Sequence, residues 1–236
     1  MRISSNRRGR SHDAEGARTA ILNAAETVFA AHGFDGARVD TIAAQAGYNK
    51  SLLFQYFGDK LTLYAAVLKQ ADGEASQLRA RVFAPLLTND SLAADAGQLR
   101  TFFETAFRSV FDYLLAHPRL LRILLWEMAE GWHTYAQISP QFQIEHVEQL
   151  ALLFQKAQRA GLIRSTFSPV IQLTMALQTC QSYLASLPLY QVLLPDEDLS
   201  SSAALARARQ YIVTAIVAGI MVDPPQPSQP KEIHLP

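Results

Sequence analysis

The chain has 236 residues, of which 49% are hydrophobic and 18% are charged, and this composition excludes a chain that is disordered as a whole. The 21 basic and 21 acidic side chains balance, so net charge indicates no class of partner. A single cysteine, Cys180, excludes an internal disulfide and a cysteine-based zinc site. The six histidines never stand three to five residues apart, so we expect neither a metal nor another cofactor.

The arginine-rich N-terminus and the proline-rich C-terminus are both predicted to be disordered. No apolar stretch follows the arginines of residues 1–12, so we expect a basic arm there and not a secretory signal. Five of the eleven prolines lie in residues 224–236, which predicts a disordered tail over residues 223–236. The folded part of the chain is therefore expected between these two segments.

Between these ends, apolar residues recur at helical spacing and strand signals are missing, which predicts an all-α fold. Gly33, Gly47 and Gly58 stand where helices are expected to end. Asn49 and Asp59 are the predicted N-caps of the helices that follow. The nine predicted helices cover about residues 13–32, 39–46, 50–57, 59–83, 96–117, 118–131, 140–160, 169–187 and 199–222.

The last two predicted helices contain long stretches without charge. Residues 165–195 carry no charged side chain, and residues 211–222 are apolar nearly throughout. Neither stretch contains the ~18–20 consecutive apolar residues that span a membrane, so we expect buried helices of a soluble, cytoplasmic protein. A helix that is apolar on every side must be covered on every side. The helices at about 169–187 and 199–222 are therefore predicted to form a homodimer interface.

Residues 39–57 have the pattern of two short helices joined by a tight glycine turn, which is typical of a helix-turn-helix. Ala46 and Gly47 supply the small residues that this turn requires. The apolar side chains Leu53, Phe54 and Phe57 are expected on the buried side. The second helix would then expose Lys50, Ser51, Leu52, Gln55 and Tyr56. A face of this composition can enter the major groove of DNA.

Several correctly spaced residues around this turn resemble the TetR family of bacterial transcriptional regulators. They are Gly33-Phe34, then Ile42-Ala43-x-x-Ala46-Gly47, then Leu53-Phe54-x-Tyr56-Phe57-x-x-Lys60-x-x-Leu63. The resemblance covers residues 17–64, about a fifth of the chain. It implies a helix-turn-helix DNA-binding domain at residues 13–60, followed by a ligand-binding and dimerisation domain at residues 61–222.

The resemblance also implies which side chains meet a double-stranded DNA operator, although the same side chains could form an ordinary solvated surface. The candidates are Arg38, Thr41, Tyr48, Asn49, Lys50, Ser51, Leu52, Gln55, Tyr56 and Lys60. Arg38 stands where the family usually has Thr or Ser, and it has no side-chain oxygen with which to cap the helix. The operator sequence therefore stays open.

The C-terminal domain of such regulators holds a small-molecule effector, so its aromatic and polar residues either line a pocket or fill the core. The candidates for the pocket are Phe107, Phe111, Met128, Trp132, Phe142, His146, Met175 and Gln178. Two nearby carboxylates, Glu127 and Glu130, are expected on a solvated helix edge. The long fourth helix is the connection predicted to carry the effector's signal to the DNA-binding helices.

The sequence contains no nucleophile elbow, phosphate-binding glycine loop or cluster of His and carboxylate residues, so we do not expect an enzyme. The favoured interpretation is a repressor that binds a palindromic operator as a homodimer and is released by a small ligand. The alternative is a helical small-molecule-binding or adaptor protein that has lost specific DNA binding. Arg38, Lys50 and Lys60 favour the repressor, because an idle recognition helix need not keep basic residues.

Overall fold

The computed structural model describes residues 6–89, 91–142, 147–164 and 168–222. Within those ranges it confirms the predicted all-α fold and contains ten α-helices and one short 3-10 turn at Ser139–Gln141. The helices are α1 (Asn6–Gly36), α2 (Val39–Ala46), α3 (Lys50–Phe57), α4 (Lys60–Thr88), α5 (Ala96–Ala116), α6 (Pro118–Ala129), α7 (His133–Ile138), α8 (Val147–Arg159), α9 (Pro169–Leu193) and α10 (Ser202–Ile220).

Helix α1 differs from the prediction at its N-terminal end. It is described from Asn6, so residues 6–12 of the segment expected to be a disordered arm are helical; residues 1–5 and the predicted tail at 223–236 lie outside the described ranges. No proline occurs in this part of the chain to interrupt the helix. At the other end, Gly33 leaves the helical conformation (φ 68°, ψ −178°) where the C-cap was predicted, and a short helical stretch continues to Gly36.

The two internal prolines do not end their helices. Pro85 lies inside α4 and Pro188 inside α9, which continues to Leu193. A proline removes one backbone hydrogen bond of the helix, while the bonds on either side remain. The helix predicted at 140–160 begins only at Val147, and the short helix α7 before it was not predicted. A six-residue helix is too short to give a periodic sequence signal.

The buried apolar side chains form an N-terminal cluster and a C-terminal pair of clusters. The N-terminal cluster joins Ile21 and Phe29 of α1 to Leu53 of α3 and Tyr64 of α4, and it also takes in Ile123 of α6. The C-terminal clusters are built mainly from α5, α8, α9 and α10. Helix α6 is therefore shared between the part that carries the helix-turn-helix and the larger helical part.

Helix α10 is the one helix in the described part of the chain that is long and apolar enough to cross a membrane. Core helices of soluble proteins meet the same test, so length and composition alone are weak evidence. Ile212, Val213 and Val217 of α10 are buried, and the helix packs on α5. Arg209 also pairs with Asp112 of α5 at 2.6 Å. One side of α10 therefore belongs to the protein's own core.

Candidate nucleic-acid interface and ligand cavity

The turn between α2 and α3 is held by backbone geometry and by one side-chain cap. Gly47 adopts the left-handed conformation (φ 76°, ψ 21°) that ends α2. Asn49 then begins α3, and its side-chain oxygen accepts a hydrogen bond from the Leu52 backbone N–H at 2.8 Å. The predicted cap is confirmed. Because the Asn49 oxygen is occupied by the cap, only the amide NH₂ of this side chain is free to meet a ligand.

The outer face of α3 differs from the prediction at two aromatic residues. Leu53 and Phe57 are buried as expected, but Phe54 is 38% exposed and Tyr56 is half-buried against the N-terminal core. At about 100° per residue, Phe54 and Tyr56 lie on opposite flanks of the buried side. The sequence pattern cannot tell which flank meets the core, so Phe54, which was predicted to be buried, is exposed, while Tyr56, which was predicted to point outward, is partly accessible.

The exposed face of α3 consists of the side chains of Lys50, Ser51, Phe54 and Gln55. The Lys50 ammonium lies 3.1 Å from a carboxylate oxygen of Asp40 and 5.9 Å from the centre of the Phe54 ring. Both partners of the ion pair are at least half exposed. The positive charge of Lys50 is thus partly neutralised before any DNA is bound.

Replacing Asp40 by asparagine is expected to strengthen binding to DNA of any sequence. The change frees the Lys50 ammonium and removes a negative charge from the face that is predicted to meet phosphates. If Lys50 then neutralises one more phosphate, the plot of log affinity against log salt steepens by about 0.9. The measurement is fluorescence anisotropy of a labelled duplex at several salt concentrations.

The matched control is Asp196→Asn, which removes the same charge from an exposed position in the loop between α9 and α10. It should leave the affinity and the salt dependence unchanged. Equal behaviour of the two variants would contradict a DNA-facing position for Asp40 and Lys50.

Lys60 points back toward α1 and not freely outward. Its ammonium lies 3.3 Å from the backbone oxygen of Asp35 and 4.5 Å from the centre of the Phe34 ring. Burial lowers the pKa of Lys60 below its usual range. The negative charges of Asp35 and Glu130 act in the other direction and raise this pKa, but their effect is smaller. To reach a phosphate, the side chain would have to leave this position.

Three further candidates for DNA contact lie around the turn. Arg38 precedes α2, where it makes no side-chain cap as predicted, and its side chain is exposed. Thr41 and Tyr48 are also exposed. The structure therefore leaves these side chains accessible on the same two-helix unit as the exposed face of α3.

A buried carboxylate joins the N-terminal part of the protein to α6 and α7. Glu127 is 1% exposed and accepts hydrogen bonds from the Tyr64 hydroxyl at 2.6 Å and from the Tyr135 backbone N–H at 3.0 Å. The expectation of a solvated edge was wrong for this residue. Its spacing from Leu120 and Ile123 puts Glu127 on the apolar face of α6, and that signal could have located it.

The Glu127 carboxylate lies beside a cluster of aromatic rings. The Tyr64 ring meets Phe29 and Phe34 at centroid distances of 4.9 and 5.2 Å. Burial and the adjacent carboxylate raise the pKa of the Tyr64 hydroxyl well above its usual range, so it stays a hydrogen-bond donor. Since Tyr64 is on the first turns of α4, the carboxylate fixes α6 directly to the helix that follows the recognition helix.

Helix α6 also contacts α1 close to the kink at Gly33. The side chains of Arg122 and Trp126 donate hydrogen bonds to the backbone oxygen of Ala30 at 3.1 and 3.3 Å. A Cβ atom at Gly33 would lie 2.9 Å from a carboxylate oxygen of Glu130 and 3.1 Å from the Trp126 ring, closer than ordinary Cβ contacts. Glycine is thus required here both by its positive φ and by this close approach. Helix α6 is therefore a second connection, besides α4, between the N-terminal and the C-terminal part of the protein.

The largely apolar cavity of the C-terminal part lies between α4, α5, α8 and α9 and has a volume of about 260 Å³. Of the predicted pocket residues, Phe107 lines it. Phe111 is buried in a neighbouring core cluster instead, against Tyr183. The cavity is therefore built largely from apolar side chains that the sequence analysis did not select, namely Leu78, Val82, Phe83, Phe102, Phe103, Val110, Leu150, Leu173 and Leu177.

The other predicted pocket residues lie elsewhere, so the predicted set does not form one site. Met128 is 44% exposed, and Trp132 and Phe142 pack on either side of Tyr135. Met175 and Gln178 line an open groove on the outer side of α9 and α10; His146 lies outside the described residues. Sequence spacing within one helix cannot show which helices will meet, so it could not place these residues around one cavity. Across the described ranges, no group of three or more His, Cys, Asp or Glu residues could hold a metal ion.

A capped recognition helix with an exposed, mainly polar outer face, carried on a small helical unit, defines a helix-turn-helix protein of the DNA-binding class. The larger helical part follows it in the chain and contains a separate, partly open apolar cavity. This combination of parts is the one that the sequence resemblance predicts.

Comparison with known proteins gives the family. Residues 21–67 match the model of the bacterial regulatory proteins of the tetR family, and residues 100–216 match the model of the tetracyclin repressor-like C-terminal domain. The HTH-type transcriptional repressor NicS of Pseudomonas putida is 30% identical over 74% of this chain and 78% of its own length. The chain belongs to the TetR family.

Two proteins of Streptomyces coelicolor are also similar. The HTH-type transcriptional repressor SCO4008 is 37% identical over 50% of this chain, and the match spans 53% of that protein. The crystal structure of the transcriptional regulator SCO4942 has a TM-score of 0.53 and 28% identity, covering 89% of this chain and 99% of that one. The relatives found are thus transcriptional regulators and not enzymes.

Proposed function

We propose that this protein is a cytoplasmic transcriptional repressor that binds a palindromic operator as a homodimer and leaves it when a small-molecule effector binds. The observation that carries the proposal is the exposed face of α3, opposite Leu53 and Phe57 and next to an Asn49 cap. A face of this kind serves no purpose in the protein's own packing. Regulatory relatives and the absence of a catalytic motif in the sequence support a role other than that of an enzyme.

The proposed DNA contacts divide into base-reading and phosphate-binding groups. Ser51 and Gln55 are the proposed contacts to base edges, because they lie farthest from the buried side of α3. Phe54 and Leu52 would offer apolar contact to a thymine methyl. The proposed contacts to the sugar-phosphate backbone come from Arg38, Thr41, Tyr48, Lys50, Tyr56, Lys60 and the Asn49 amide.

The proposed dimer interface is the outer side of α9 and α10. Val170, Ile171 and Met175 on α9 are each about half exposed, and Tyr211 on α10 is 77% exposed. Met175 and Tyr211 border an open groove of about 660 Å³ that runs between the two helices. A contiguous apolar surface of this kind marks a protein interface, and a second copy of the chain would supply the same two helices to cover it.

Replacing Tyr211 by arginine is expected to dissociate the dimer. Wild-type protein should have twice the 26.1 kDa chain mass in light scattering at micromolar concentration, because one helix-turn-helix alone reads too few base pairs. A charge at the centre of the apolar interface cannot be paired and should give the monomer. Leu152→Arg is the control, since Leu152 is a comparably exposed apolar residue on α8. A wild-type monomer would contradict this part of the proposal.

DNA binding in increasing salt separates the repressor from the alternative, a helical adaptor that no longer binds DNA specifically. Genomic fragments of the source bacterium are incubated with the protein and resolved by mobility shift. A repressor should retain a small subset of fragments, with an affinity that falls steeply as salt rises. Equal, weak retention of all fragments would favour the adaptor.

The proposed control by an effector follows from linkage. If the effector and the operator favour different arrangements of the dimer, each weakens the binding of the other by the same factor. A coupling free energy of ~1–3 kcal/mol corresponds to a ~5–150-fold loss of operator affinity. Helix α4 contacts α3, and α6 packs against α1 of the same N-terminal part, which supports their joint role in this coupling.

A further inference from the structure

We propose that the cavity between α4, α5, α8 and α9 takes a neutral, apolar molecule about the size of a monocyclic hydrocarbon, and that it excludes charged compounds. The proposal deepens the proposed function, because such a molecule would be the effector. The assignment of the ligand class rests on the cavity itself and can be tested without DNA.

The cavity is large enough to hold a small organic molecule. It measures about 260 Å³ and is partly open to solvent. An engineered apolar cavity of about 150 Å³ already binds benzene. At about 30 Å³ for each water-sized group, the cavity has room for roughly nine such groups, which limits the ligand to a small molecule.

The two polar side chains of the lining are both engaged elsewhere. The guanidinium of Arg79 pairs with the Asp72 carboxylate at 2.6 Å and also donates a hydrogen bond to the Asp72 backbone oxygen. The Ser109 hydroxyl donates to the backbone oxygen of Thr105 in its own helix at 2.8 Å. Among the lining residues that the structure describes, both polar side chains are thus already committed.

The remaining lining residues are aliphatic or aromatic, with Phe102, Phe103 and Phe107 on α5 and Leu173 and Leu177 on α9. A charged ligand would lose its hydration here and gain no counter-charge, and burial of an unpaired charge is strongly unfavourable. An uncharged hydrocarbon loses nothing by leaving water and gains dispersion contacts with the rings. The cavity therefore selects against charge more than for any particular shape.

Three probes of nearly equal size test this inference: toluene, benzoate and benzylammonium. Binding to the full-length protein, without DNA, is followed by the concentration-dependent rise in Tm that a ligand of the native state produces. Toluene is expected to raise Tm, and the two ions at the same concentration are expected to leave it unchanged. A rise in Tm with benzoate or benzylammonium equal to that with toluene would overturn the proposal.

The Ala106→Leu variant tests whether toluene binds in this cavity. Ala106 lines it and is half-buried, so a larger side chain should fill the space and weaken toluene binding at least tenfold. Ala80→Leu, on an exposed position of α4, is the control. Val110→Phe is a second filling variant if Ala106→Leu does not fold by circular dichroism. If a folded variant with a filled cavity binds toluene as tightly as wild-type protein does, toluene does not bind in this cavity and the proposal is overturned.

The same preparations show whether a failure concerns the cavity or the proposed function. Toluene binding measured without DNA reports on the cavity alone. Operator binding measured without toluene reports on the DNA-binding role alone. A protein that binds toluene and no DNA would contradict the proposed function while supporting the ligand class, and the reverse result would contradict only the ligand class.

Discussion

Replacing Gln55 by alanine is expected to weaken operator binding by ~1–3 kcal/mol. Gln55 is exposed and lies about half a turn away from Leu53 and Phe57 on α3, so we expect it to be the side chain that α3 presents most directly to the major groove. An amide can make two hydrogen bonds to an adenine edge, and alanine makes neither. The measurement is anisotropy with the duplex that wild-type protein selects from a random pool.

Gln77→Ala is the matched control for this prediction. Gln77 is an exposed residue of α4, far along that helix from the recognition helix, so its loss should not change operator affinity. The Gln55 variant should also discriminate less between the selected duplex and one altered at a single base pair. An unchanged affinity and an unchanged discrimination would remove Gln55 from the proposed contacts.

Replacing Tyr64 by phenylalanine is expected to lower the free energy of unfolding by about 1.5–3 kcal/mol, the range for a hydrogen bond to a charged group. The variant keeps the ring that packs on Phe29 and Phe34. It leaves one oxygen of the Glu127 carboxylate buried without its donor, since that oxygen accepts the Tyr64 hydroxyl at 2.6 Å. Urea denaturation followed by circular dichroism measures the loss.

Tyr113→Phe is the control for this loss. The Tyr113 hydroxyl donates to the backbone oxygen of Ala71 at 2.8 Å, which is a neutral acceptor in a partly buried place, so the cost should be only about 0.5–1.5 kcal/mol. The two tyrosine changes are then repeated in a Glu127→Gln variant. In that variant, the free energies of unfolding lost by Tyr64→Phe and by Tyr113→Phe should be closer to each other. Equal costs of the two tyrosine changes in wild-type protein would contradict a special role for the buried carboxylate.

The helix-turn-helix could be predicted from the sequence because local chemistry determines it. Gly47 and Asn49 set the turn and the cap through their own backbone and side chain, and neither depends on distant residues. The flank of α3 that meets the core depends on where α1 and α4 lie. The sequence therefore could not show that Phe54 would be exposed and Tyr56 partly buried.

The ligand cavity and the buried carboxylate depend on contacts between residues far apart in the chain. The cavity is lined from Leu78 of α4 to Leu177 of α9, and periodicity within each helix does not show which faces meet. Glu127 was placed on a solvated edge because a carboxylate is rarely buried without a partner, and its partner Tyr64 lies 63 residues away. Both features come from tertiary packing.

The sequence of the duplex selected by wild-type protein from a random pool tests the central claim most directly. If two copies of α3 read DNA across a two-fold axis, the selected duplexes share an inverted repeat. Its half-site centres should lie about 10–10.5 base pairs apart, or a multiple of that distance. A pool that stays random after repeated rounds of selection, or a single site without an inverted copy, would contradict a dimeric operator-binding repressor.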